Sequence, residues 1–172
     1  KDEIAQTPLH YAVNANSKVV GILIDKGADI NAKDNNGNTP LHIAAAKPNP
    51  SLVYGGGPYY KGLSIYTIKE RSATLLLQKG ADLKIKNEKE ETPLIYACSS
   101  DFSGVGTMAS LMINRKIVKL FIEQGANINE KDGNGFTPLH WATLNGGLNI
   151  LQYLIKNGAN INAKTEKNFI SE

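Results

Sequence analysis

The hexapeptide Thr-Pro-Leu-X-X-Ala occurs four times in phase with a second signature, and this restricts the chain to a stack of like units. The copies read TPLHYA at Thr7–Ala12, TPLHIA at Thr39–Ala44, TPLIYA at Thr92–Ala97 and TPLHWA at Thr137–Ala142. Downstream of them stand KGADIN from Lys26, KGADLK from Lys79, QGANIN from Gln124 and NGANIN from Asn157. A unit this short cannot bury its apolar face alone, so neighbours must stack and share a continuous core.

The last unit shows how the residues build such a module. Asp132-Gly-Asn-Gly135 is a turn sequence, with Gly available for positive φ. Thr137 then takes an N-cap and Pro138 the first helical position, where its missing N–H costs nothing. Leu139 and Ala142 belong to a short inner helix that Gly146-Gly147 stops. Leu148 to Lys156 is a second helix with Ile150, Leu151, Leu154 and Ile155 facing inward. Gly158 ends it as a left-handed cap. Small Ala12, Ala44, Ala97 and Ala142 let inner helices approach closely.

The two signatures together resemble those of the ankyrin repeat family, almost from end to end. The resemblance implies an all-α solenoid of helix-turn-helix units with β-hairpin loops. It implies one domain, 1–172, with repeats at 2–33, 34–86, 87–131 and 132–164 and a partial fifth at 165–172. From Thr7 the copies are spaced by 32, 53 and 45 residues. Against the family period of about 33, the second repeat carries about 20 extra residues and the third about 12. With the signatures intact, the extra residues fall between the paired helices, at 47–68 and 99–114. These insertions belong to adjacent repeats and are expected to touch. Ala5 and Glu90 stand where the turn favours Gly, so those two hairpins are expected to be reshaped. The register of Thr165–Glu172, with apolar Val19, Val20, Ile22 and Leu23 in the first repeat, predicts a longer parent array.

Composition sets the broad class. Apolar residues make up 41% and charged residues 20%. No run approaches the roughly 18 apolar residues that span a bilayer. Cys98 alone cannot form an internal disulfide, in keeping with a reducing compartment, the cytoplasm. A start at Lys1 without Met leaves export or delivery to a host cell open. Net charge is +3, from 17 Lys and 2 Arg against 16 acids. Scarce Arg argues against nucleic acid as the partner.

Candidate chemistry reduces to structure at most positions. His10, His42 and His140 lie a repeat or more apart, roughly 10 Å at helix-packing distance, too far to converge on one metal ion. The resemblance gives each a structural role, bonding the Thr of its own motif. Ile95 forfeits that contact. Cys98 has no base or oxyanion site in the sequence and reads as core. Trp141 shares its register with Tyr11, Ile43 and Tyr96 and also reads as packing. Val53-Tyr-Gly-Gly-Gly-Pro-Tyr-Tyr60 lacks the spacing of a phosphate loop, though Gly with Tyr suits adaptable recognition. Lys33, Lys86, Lys131 and Lys164 share one register and form a ladder. It reads as a solvated edge, or else as an electrostatic guide for an acidic partner.

The sequence therefore predicts a monomeric scaffold for an unidentified protein, with no cofactor, metal or catalytic site. The partner surface is expected on hairpin tips and the exposed side of the inner helices. Tip candidates are Asn35, Asn36, Asn38, Glu88, Lys89, Glu91, Gly133, Asn134 and Phe136. Helix candidates are Asn14, Lys47, Ser99, Leu144 and Asn145. Tyr59 and Tyr60 are candidates in the first insertion. Phe136 and Phe169, one repeat apart, would make an aromatic anchor pair. Phe169 packing inward as a cap is the alternative. Other readings are a regulatory or targeting module of a larger enzyme or secreted effector, and a small-ligand site under the insertions.

Overall fold

The computed structural model describes residues 5–46, 65–99 and 108–165, with side chains from residue 67 and residue 115 onward in the last two segments. Eight helices lie among the described residues. They form pairs: α1 Pro8–Ala15 with α2 Ser17–Asp25, and α3 Pro40–Ala45 with α4 Ile65–Gln78. Next come α5 Pro93–Ser99 with α6 Met108–Glu123, and α7 Pro138–Leu144 with α8 Leu148–Lys156. The first helix of each pair packs on the first of the next, and the second on the second. The result is an inner row, α1-α3-α5-α7, backed by an outer row, α2-α4-α6-α8.

The Thr-Pro pair starts each inner helix. Pro takes the first turn in α1, α3 and α7, and a capping box closes each start. The box partner is histidine rather than the usual Glu or Gln. The Thr7 N–H donates to His10 Nδ1 at 3.1 Å, with the Thr7 hydroxyl 2.9 Å from the same nitrogen. Thr39–His42 and Thr137–His140 repeat both distances. The outer helices of the two long units run to 14 and 16 residues, against nine in α2 and α8. Helix thus takes in the last residues of the segments 47–68 and 99–114. Residues 47–64 and 100–107, with the expectation that the two segments touch, lie outside the described residues.

The core is one cluster running through the stack. Leu9, Leu41 and Leu94 are sealed at equivalent positions, together with Ala12, Ala44, Ala97, Leu76, Val118, Phe121 and Leu154. Leu139 occupies the same register in α7 but is only half-buried, since among the described residues no helix pair follows it.

Between units the chain makes tight turns, and the described residues contain no strand. Each turn closes on an Asx residue. The Asp34 N–H donates to Asn38 O and the Gly37 N–H to Asp34 O, both at 2.9 Å. Asn87 and Asp132 make the same pair of bonds with Glu91 and Glu90, and with Phe136 and Gly135. At Glu90 the expected reshaping does not occur, while the first turn lies largely outside the described residues. Ala5 at φ 48° and Glu90 at φ 59° adopt the left-handed conformation that Gly37 takes at φ 73°. Stacking holds Glu90 there. Glu88 N–H donates to Asn36 O and Gly133 N–H to Lys89 O, each at 3.0 Å.

Candidate partner-binding surface

The inner helices contain no Asp, Glu, Lys or Arg. Their uncharged face lies beside the turns, and the turn bases form a buried polar seam. In each turn the Asx side chain accepts two backbone N–H groups. Asp34 Oδ1 takes those of Asn36 and Asn38, Asn87 Oδ1 those of Lys89 and Glu91, and Asp132 Oδ1 those of Asn134 and Phe136. The second side-chain atom then reaches outward. Asp34 Oδ2 accepts from Gln6 of the preceding turn at 3.4 Å, and Asp132 Oδ2 from Trp141 Nε1 at 2.8 Å. Asn87 Nδ2 donates to both Asn38 Oδ1 and Glu91 Oε2 at 3.0 Å. An Asp there would bring a carboxylate against Glu91.

This seam corrects part of the expected surface. Asn38 and Glu91, each 5% exposed, are structural rather than tip residues. Glu91 also accepts the Ser99 hydroxyl at 2.8 Å, so Ser99 is half-buried within the same seam. Asn145 Nδ2 donates to Cys98 O at 2.6 Å, tying α7 to the end of α5. Asn14 is half-buried. Asn35, Asn36, Glu88, Lys89, Gly133 and Asn134 do reach solvent at the turn tips. Leu144 is 54% exposed at the end of α7. Lys47, Tyr59, Tyr60 and Phe169 lie outside the described residues.

Ile43, Tyr96 and Trp141 pack against the core as expected, and Tyr11 departs from the register. Tyr11 is 51% exposed, while Ile43, Tyr96 and Trp141 are half-buried. They line up on successive inner helices facing the turns. Tyr96 stands edge-on to His42 at 5.8 Å, and burial raises its phenol pKa. Phe136 is no free-standing anchor. It is half-buried, 5.2 Å from the Trp141 ring and 5.5 Å from His140.

The histidines tie one unit to the next. Nδ1 accepts the Thr N–H, so the ring proton sits on Nε2. His10 Nε2 donates to Asn38 O and His42 Nε2 to Glu91 O, both at 3.0 Å. Burial lowers the His42 pKa to about 4, which keeps it neutral. Ile95, fully buried in the same place, makes no such tie.

The lysine ladder is neither a bare solvated edge nor a row of free charges. Lys33 Nζ donates to Lys86 O at 2.9 Å and Lys86 Nζ to Lys131 O at 3.2 Å. Each amine thus binds the carbonyl of the next lysine in register. Lys86 also pairs with Glu130 at 2.9 Å, an interaction that raises the lysine pKa and lowers that of the acid.

One buried cation escaped sequence reasoning. Lys69, on α4, is 3% exposed and donates to Ile43 O at 2.6 Å and Ala46 O at 2.7 Å, capping α3. Burial pushes its pKa down to about 7. Its place between Ile68 and Glu70 gave no periodic signal. Cys98 is sealed as expected, its thiol pushed up to about 12 by burial.

The family model described as ankyrin repeats (3 copies) matches residues 1–53 and 65–165. The chain belongs to the ankyrin repeat family. The unmatched residues between 53 and 65 fall within the segment 47–68. Ankyrin relatives include the B-cell lymphoma 3 protein homolog of Mus musculus, 28% identical over 91% of this chain and 37% of its own length. Alpha-latrotoxin-Lh1a of Latrodectus hasselti is 32% identical over 89% of the chain and 9% of the toxin. Palmitoyltransferase AKR1 of Lachancea kluyveri is 28% identical over 95% of the chain and 18% of the enzyme. The chain therefore spans between 9% and 37% of the length of these three relatives. Ankyrin repeats are generally protein–protein interaction modules, and most of the family is not enzymatic.

Proposed function

We propose that this ankyrin array is a binding scaffold that grips a partner protein between its turn tips and its inner-helix face. The observation that carries the reading is the composition of that face. It is uncharged, it exposes Tyr11 and Leu144, and it flanks solvent-facing Asn35, Asn36, Glu88, Lys89 and Asn134. Apolar anchors inside a polar rim are the anatomy of a protein interface. The turn residues beneath are hydrogen-bonded to one another, which lowers the ordering cost of binding.

The same features argue that the segment binds rather than catalyses. Its one thiol is sealed and held protonated, and a nucleophile needs the opposite. A chain that covers a fraction of its relatives also fits the reading of a targeting or regulatory module within a larger protein.

The test is affinity capture from the source cell with wild type and a Tyr11→Ala/Leu144→Ala double variant. The captured protein is then titrated against both. Loss of binding by more than about tenfold, or about 1.4 kcal/mol, with unchanged helicity is the expected result. Equal affinity would move the interface off this face.

A further inference from the structure

The outer row has the opposite electrostatic character from the inner one. Both arginines of the chain lie on it, Arg71 on α4 and Arg115 on α6. Together with Lys116, Lys119 and Lys156 they are exposed. Among the described residues of α4, α6 and α8 the acids are Glu70 and Glu123. Lys116 meets Glu70 at 3.1 Å and Lys119 meets Glu123 at 3.6 Å, in solvent. Arg71, Arg115 and Lys156 have no carboxylate partner among the described residues. The helices leave two open grooves between them. The α4–α6 groove, about 390 Å³, holds Arg71, Lys116, Thr67 and Thr74. The α6–α8 groove, about 490 Å³, is lined by Arg115, Lys119 and Lys156, by one acid, Glu123, and by Asn149, Gln152 and Tyr153.

We propose that this outer-helix face, centred on the α6–α8 groove, is a second docking surface, and that its occupant is an acidic polypeptide segment. The guanidinium fork of Arg115 in this groove, like that of Arg71 in the neighbouring one, has no carboxylate partner among the described residues. It suits a carboxylate, which it binds in bidentate fashion. The amides of Asn149 and Gln152 both donate and accept, matching a peptide backbone, whereas a phosphodiester backbone offers acceptors alone. Glu70 and Glu123 interrupt the cations, so a continuous string of phosphates meets like charge, while spaced Asp and Glu side chains do not. The exposed apolar side chains of α8, Leu148 and Ile155, lie outside the lining of the α6–α8 groove, and α4 and α6 expose none among their described side chains. A bilayer is thus left without an anchor in the groove. The face is built from a different helix row than the inner-helix surface, so either surface can fail without the other.

The probe is a fluorescein-labelled peptide of repeating Glu-Gly-Asp-Ser units, titrated by anisotropy into the full chain. Arg115→Glu/Lys156→Glu is expected to weaken binding by at least about tenfold. The control Lys26→Glu/Lys84→Glu makes the same change in net charge on the exposed turns and should shift affinity by less than about twofold. Melting curves verify that both variants fold. Carbodiimide cross-linking of the wild-type complex gives an independent reading, with attachment expected at Lys119 and Lys156. Equal losses in the two variants, or cross-links confined to Lys33, Lys89 and Lys131, would overturn the proposal. So would displacement of the peptide by a single-stranded oligonucleotide or by phosphatidylserine vesicles at lower anion concentration.

Discussion

At the scale of single residues, burial and hydrogen bonding set the chemistry more than charge does. Lys69 shows this most clearly. Its amine closes two carbonyls at the end of α3, yet burial lowers its pKa from 10.5 to about 7. The unfolded chain holds that proton up to 10.5, while the folded chain releases it near 7. Between those values the unfolded state binds more protons at this amine. From about 7 to 9 stability therefore rises with pH, by up to about 1.4 kcal/mol per unit. Above about 9 the buried Cys98 thiol, raised to about 12, opposes it. Below about 7 the gain is absent. Denaturant midpoints across this window should show the slope in wild type and not in Lys69→Met. Parallel profiles would mean that the amine is solvated. Glu90 is a second case. It holds φ 59° because its turn is clamped from both sides, at a cost near 1 kcal/mol for a residue with a Cβ. Glu90→Gly removes that cost and gives up an exposed contact with Lys86 at 3.7 Å. It is expected to raise stability by roughly 0.5–1 kcal/mol in urea unfolding.

At the scale of elements, the helices were legible because their signals are local. Thr and Pro mark each inner start, Gly each outer end, and the apolar spacing marks the buried side. Substitutions should rank by how many neighbours enclose the side chain. Leu94→Ala, in a fully buried position on α5, should cost about 2–5 kcal/mol, and Leu139→Ala on α7 distinctly less. Equal losses would mean that the end unit is enclosed as tightly as the middle. What the sequence could not display is the set of bonds made across units. Asn38 and Glu91 look like tip residues by register, but Asn87 draws both into the seam from 49 and four positions away. The lysine ladder was visible as a register, and its acceptors were not, because a backbone carbonyl carries no sequence signature. Tyr11 and Phe136 were misjudged for a related reason. Exposure depends on the neighbouring helix and turn, and the hexapeptide alone does not report them.

At the scale of the whole molecule, stability is a sum over unit interfaces, and the interfaces here are not equal. The first is joined by the His10 bridge, by Asn31 accepting the Asp82 N–H at 3.0 Å, and by Lys79 pairing with Asp25 at 2.8 Å. Later in the stack Lys84 stands where Asn31 does, and Ile95 stands where His42 does. The last pair, α7–α8, keeps the Asn129–Asn160 and Asn145–Cys98 bonds, but it has no histidine tie to α5 and lies at the described end of the core. Native-state hydrogen exchange should therefore show α7–α8 opening at lower free energy than α3–α4. Uniform protection would mean that the array unfolds as one block. The ladder of amines on carbonyls has a further consequence. It measures the distance from turn to turn and is blind to the residues between paired helices. The two rungs keep a common gauge although the chain between their lysines runs through 53 and then 45 residues. Length can thus be added or removed between the helices of a unit without any rung moving, which makes those joints the places where such a protein can acquire new parts while its frame stays in step.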